Sequence, residues 1–203
     1  MNDQPAFLIL MIAVGAYAFS LWRQDYRAFV SGKATPRALP GATPASLNAC
    51  MIAALGALVI LAGETWGEIR LGLSHEQSNI TVLFGVSTLM AAFTEELIFR
   101  GFIVIDGKGS TLRWVGVIGA SVLFAALHPF LWKWDDGGFA WTFAAKGWFS
   151  TITVFTASLW FYAMRFASFN PARSLLPCIA AHAAKNLGVV AVKAVQGHIA
   201  GWW

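Results

Sequence analysis

ITVLFGVSTLMAAFTEELIFRGFIVI, residues 80–105, is an apolar run whose only charges are Glu95, Glu96 and Arg100. A bilayer-spanning helix needs about 20 apolar residues, so this run is long enough to cross. A charge at the centre of such a helix costs about 2.5–3.5 kcal/mol on insertion scales. Three of them in one run therefore mark a functional site inside a membrane helix.

The rest of the chain has the same character. Of its 203 residues, 58% are hydrophobic and 12% are charged. Soluble domains carry about 25% charged residues. The composition excludes disorder, a collagen-like fibre and an ordinary soluble globule. It predicts an all-α polytopic membrane protein, a bundle of about six transmembrane helices around a buried polar site. Five further apolar runs flank the first, at 5–22, 45–63, 114–132, 139–164 and 175–192. Within 139–164 the span proper is expected at 147–164, with 139–145 at the interface. Polar segments 23–44, 64–79, 106–113 and 165–177 separate the runs, and Gly137-Gly138 with Asp135 and Asp136 reads as a turn. We read 1–203 as one membrane domain. Residues 80–192 form its catalytic core, and 1–79 supply two amino-terminal helices and a basic loop. The first run lacks the positive n-region of a signal peptide, since Asp3 is the only charge before it. Cys50 and Cys178 lie in apolar runs and read as buried thiols rather than a disulfide framework.

Charge sets the expected orientation. The loops after runs one, three and five hold Arg23, Arg27, Lys33, Arg37, Lys108, Arg113, Arg165 and Arg173. The opposite side holds Arg70, Lys133, Lys146 and Lys193. The positive-inside rule then puts both termini outside a multi-pass cell-membrane protein. The net charge of +4 reports this asymmetry and does not indicate a nucleic-acid partner. Many of the ten tryptophans fall near span ends, which fits interfacial anchoring.

The intramembrane polar residues can converge. Glu96 and Arg100 are four apart and pair on one helix face, which leaves Glu95 free for chemistry. His128 lies late in the fourth run, and His182 and Asn186 share a face of the sixth. Lys185 reads as snorkelling outward. By helix rise, Glu95, His128 and His182 lie about 15, 21 and 10 Å from the same side. Carboxyls, imidazoles and an amide in one cavity suit hydrolysis, with a base for water and donors for an oxyanion. Helix-packing polar residues are the alternative. A zinc site built from Glu95, His128 and His182 is another, although no HExxH is present. A proton-coupled carrier would need a repeat that the sequence lacks.

Glu95-Glu96-x-x-x-Arg100, Phe124-x-x-x-His128 and His182-x-x-x-Asn186, in this order on separate helices, resemble the three motifs of the CAAX-protease and bacteriocin-processing family. That family includes the type II CAAX prenyl endopeptidases. The resemblance covers 80 to about 192 and extends through Gly101. It implies an intramembrane protease of the glutamate type, needing no cofactor or metal. Glu95 and His128 would activate water, and His182 and Asn186 would hold the oxyanion. Glu96 and Arg100 would shape the site, which opens in the cytoplasmic half. The implied partners are the lipid bilayer and a peptide or membrane-anchored protein substrate. Members linked to bacteriocin immunity keep a non-catalytic binding role open.

Overall fold

The computed structural model describes residues 4–135 and 137–203. The expectations resting on Asp3 and Asp136 lie outside these residues. Six α-helices are present among them: α1 (Pro5–Val30), α2 (Leu47–Arg70), α3 (Val82–Glu96), α4 (Ser110–Leu127), α5 (Ala145–Phe166) and α6 (Leu176–Val195). A π-helical segment, Leu97–Phe102, continues α3. Five of these spans are long and apolar enough to cross a membrane, counting Val82–Phe102 as one. The sixth, α5, matches them in length but is diluted by Lys146, Arg165 and a series of Ser and Thr. The fold is that of an all-α polytopic membrane protein.

Several boundaries differ from the sequence expectation. Helix α1 runs past Trp22 to Val30, and α2 runs past Gly63 to Arg70. Glu64 and Glu68 are therefore helical rather than in a loop. Each has a tertiary partner: Glu64 faces the Lys185 ammonium at 2.8 Å, and Glu68 takes Lys146. Lys185 does not snorkel; it is buried on α6. Arg165 belongs to α5 and is also buried. Cys178 is buried, but Cys50 is only partly so.

The fourth run also splits. Helix α4 ends at Leu127, and His128 is extended, with φ −77° and ψ 127°. Pro129 explains this, because a residue before proline is pushed out of the helical region. The chain then forms an antiparallel hairpin, β1 (Trp132–Asp135) with β2 (Gly138–Trp141). Expected interfacial residues 139–141 are thus a strand.

Helix α2 packs against α5 and α6, α1 against α3, α3 against α6, and α4 against α5. Where α2, α5 and α6 meet, the core holds Ala53, Ala57, Ala157, Cys178 and Ala181. Small side chains let membrane helices approach closely. Gly56 shows how closely: a Cβ there would stand 2.0 Å from Cζ2 of Trp160. The indole is fixed, since Nε1 donates to Ala53 O at 2.9 Å. Gly56→Ala is expected to cost about 1–3 kcal/mol by overpacking, read as a lowered unfolding midpoint of the purified protein.

The carboxy-terminal segment closes the start of α3. Ile80 and Ile199 form a parallel bridge. Val82 N–H donates to Gly201 O, and Leu83 N–H donates to Trp202 O, both at 2.9 Å. The Thr81 hydroxyl accepts from Phe84 N–H at 3.1 Å. Helix amino termini leave such donors open, and here the chain itself fills them.

At the other end of the bundle, the segment joining α1 to α2 is held against the one joining α5 to α6. Leu175 N–H donates to Gly41 O at 3.0 Å. Gly41 has φ +62°, and a Cβ would lie 2.6 Å from Leu175 Cγ, so glycine is required there.

Candidate active site

Glu96 is the last residue of α3 and is fully buried. Its Oε1 accepts from Arg100 Nη1 at 3.1 Å and from His182 Nδ1 at 2.8 Å. Arg100 is fully buried in the π-helical turn. Its Nη2 donates to Ser158 O at 3.1 Å and to Ser158 Oγ at 2.5 Å. Ser158 Oγ in turn donates to Ser121 Oγ at 2.9 Å. The guanidinium also lies 4.6 Å from the Phe124 ring centre and 4.7 Å from that of Tyr162. Buried cations gain from such aromatic faces. The one proton of Tyr162 Oη is shared between Phe99 O at 2.6 Å and Ile103 O at 3.1 Å, carbonyls that the irregular turn leaves open. Short π-helical turns are frequent at functional sites.

This ion pair positions His182. Its ring stacks on Phe161, with centroids 4.8 Å apart and planes at 22°. A carboxylate only accepts, so Nδ1 carries the proton given to Glu96. Nε2 therefore faces outward, 3.7 Å from Oε2 of Glu95. The Glu95 side chain retains 32% exposure, whereas Glu96 and Arg100 retain none. Adjacent carboxylates on one helix thus differ sharply, one locked in a buried network and the other reachable.

His128 reaches the same place from the end of α4. Its Nδ1 lies 2.8 Å from Phe124 O. A carbonyl also only accepts, so Nδ1 is the donor and Nε2 keeps a free lone pair. Glu95, His182 and Lys185 lie near enough to act on it electrostatically. Both histidine rings contact Phe124, whose centroid is 4.8 Å from His128 and 6.0 Å from His182. Asn186, one turn along α6 from His182, donates from Nδ2 to Thr88 O at 2.9 Å, which leaves its second amide N–H uncommitted there.

The six residues singled out from the sequence therefore belong to one neighbourhood built by α3, the end of α4 and α6. The supports of Arg100 were not singled out. Ser121 and Ser158 are polar residues in apolar runs, and that was their only signal. The Glu64–Lys185 pair carried a clearer one, because Lys185 lies three residues after His182 on the same helix. Among the described residues, no group of three or more His, Cys, Asp or Glu is arranged to hold a metal ion. An apolar groove of about 450 Å³ between α2 and α6, lined by Leu58, Leu61, Trp66 and Val192, holds none of the candidate residues.

The model of one known family, described as type II CAAX prenyl endopeptidase Rce1-like, matches residues 77–188, more than half of the chain. No curated protein and no solved structure matches it.

Proposed function

The chain belongs to the type II CAAX prenyl endopeptidase Rce1-like family, and on that premise we propose that it is an intramembrane endopeptidase of the glutamate type. It cuts a peptide bond near the carboxy terminus of a membrane-associated or lipidated protein. The observation that carries this reading is the 3.7 Å approach of His182 Nε2 to the part-exposed Glu95 carboxylate, with His128 within electrostatic range of both.

In this mechanism a water lies between the Glu95 carboxylate and His128 Nε2. Glu95 takes its proton as the oxygen attacks the scissile carbonyl. The carbonyl oxygen becomes an oxyanion, held by the free N–H of Asn186 and by His182. His182 Nε2 donates only when the ring carries both protons, since Nδ1–H is already given to Glu96. The tetrahedral intermediate then collapses. The C–N bond breaks, and Glu95 returns its proton to the leaving amine. Glu96 and Arg100 touch no reacting atom and hold His182 in place. The proposal needs no metal. It places the site in the cytoplasmic half of the cell membrane, with both termini outside.

The test uses cells lacking the native copy, supplied with wild type or His128→Gln at equal levels. Mass spectrometry reads the carboxy termini of membrane proteins. Specific tails are expected to be shortened only with wild type, and a chelator is expected to leave the cutting unchanged. Identical tails in both strains, with the physiological effect intact, would replace the protease by a binding or immunity protein. Loss on chelation together with stoichiometric metal would make it a metalloprotease.

A further inference from the structure

A second polar cluster lies away from the carboxylates, at the end of the bundle where α4 begins and α5 ends. The guanidinium groups of Arg113 and Arg173 lie over the ring of Phe166, 4.9 and 5.2 Å from its centre. The neighbouring Arg165 is 8% exposed. Its Nε donates to Arg100 O at 3.0 Å, and its head group interacts electrostatically with Arg173 and Asp106. Asp106 is the one acid among them. It accepts from Arg113 Nη2 at 2.6 Å. That bond, and then the Gly107 N–H, hold its carboxyl below the usual carboxylate range.

One carboxylate does not satisfy both arginines over Phe166. Arg113 Nε and Arg173 Nη1 are buried with no hydrogen-bond partner. Arg165 Nη1 also has none, but it is turned toward Gly41 and lies outside this pair. Buried donors in native structures are normally paired, so two orphans over one ring point to an absent acceptor. The cluster is also held rigid. Asn170, 1% exposed, accepts from Ser174 N–H and donates to the carbonyls of Met164, Arg165 and Ser174. This fixes the turn that presents Arg173, the one non-glycine residue among those described with positive φ, +50°.

The acceptor must be an anion with several oxygens, because guanidinium groups bind phosphate through paired N–H donors. Its source follows from the surroundings. Phe102, Trp114 and Phe169 are exposed at this same end, at 61%, 50% and 40%. They belong to or flank helices apolar enough to cross a membrane, so they meet lipid. Basic pockets between membrane helices hold lipid headgroups. We propose that Arg113 and Arg173 form a site for the phosphate of an anionic phospholipid headgroup. The site is independent of the protease reading.

The test titrates the full chain in detergent with phosphatidylglycerol, phosphatidylcholine and inorganic phosphate, read by native mass spectrometry. The variants are Arg113→Gln/Arg173→Gln and Asp106→Asn. Arg165 is left alone because it bonds Arg100. Phosphatidylglycerol is expected to bind wild type tightly, and the double variant roughly 25-fold more weakly, at about fivefold per arginine. Phosphatidylcholine is expected to bind both alike. Asp106→Asn, which removes the competing carboxylate from an exposed loop, is expected to tighten phosphatidylglycerol binding by about fivefold. It keeps the test open even if the double variant fails to fold. Equal phosphatidylglycerol affinity in wild type and Asp106→Asn, or in wild type and the folded double variant, would overturn the proposal. So would inorganic phosphate binding as tightly as phosphatidylglycerol, which would reassign the site to a soluble anion.

Discussion

Glu95→Gln is expected to lower the cleavage rate by about 10²–10⁴-fold, the usual contribution of a positioned base, with no change in the unfolding midpoint. Both halves of this expectation rest on geometry. Among the described residues the Glu95 carboxylate makes no hydrogen bond, and His182 Nε2 stands 3.7 Å away, beyond hydrogen-bond reach. No buried donor is orphaned when its charge is removed, and a third of the side chain already meets the exterior. Glutamine keeps the volume and the helix. It accepts a hydrogen bond from water but cannot take its proton at any working pH. Cleavage of a tailed substrate in proteoliposomes, beside thermal unfolding of the same preparation, checks both. A variant that still cuts would move the base to another residue, with His128 first in order. A variant that unfolds would make Glu95 a structural group.

Arg100→Leu is expected to be the most damaging single change to stability, at about 3–5 kcal/mol, the cost of leaving a buried partner unpaired. Folded proteins hold only about 5–15 kcal/mol in total, so most of the margin goes. Three kinds of interaction are lost at once. Glu96 is left at zero exposure without its cation. The Ser158 carbonyl and hydroxyl lose a donor. Phe124 and Tyr162 lose a cation over their rings. The expected readout is a collapse in the yield of monodisperse protein and a large fall in the denaturation midpoint. Glu96→Leu/Arg100→Leu separates charge from shape, because removing both members of a buried pair is often near neutral. The double variant is expected to recover much of the stability but none of the activity. His182 would have no acceptor for Nδ1–H, and its ring would lose the orientation that aims Nε2 at Glu95. Recovery of activity would show that Glu96 does not position His182.

The readable part of this molecule was the part where energy is most lopsided. Glu95, Glu96 and Arg100 interrupt an otherwise apolar run, and the cost of placing them there is high enough to advertise a site. The i, i+4 spacings of Glu96 with Arg100 and His182 with Asn186 carried face information that survives even a π-helical turn. Helix ends were less legible. Apolarity stops at Gly63, but α2 does not, because Glu64 and Glu68 are neutralised by Lys185 and Lys146 from distant segments. No local pattern reports a partner on another helix. The hairpin was hidden differently. Trp132, Trp134, Phe139 and Trp141 read as the ends of two apolar spans, although they alternate with Lys133 and Ala140 as strand residues do. Pro129 was the local stop signal that should have divided them.

The closure of α3 by residues 201–202 fixes an order of events during synthesis. Helix α3 leaves the ribosome with Glu95 and Glu96 long before Gly201 and Trp202 exist. Until then the N–H groups of Val82 and Leu83 have only water or headgroups to bond. Helix α6, which brings His182, arrives just ahead of the same segment. Glu95 and His182 therefore come together only once α6 has been made. Under the proposed mechanism, a nascent chain inserted in the translocon carries the glutamates without a working centre and is expected not to cut itself or its neighbours before α6 is in place.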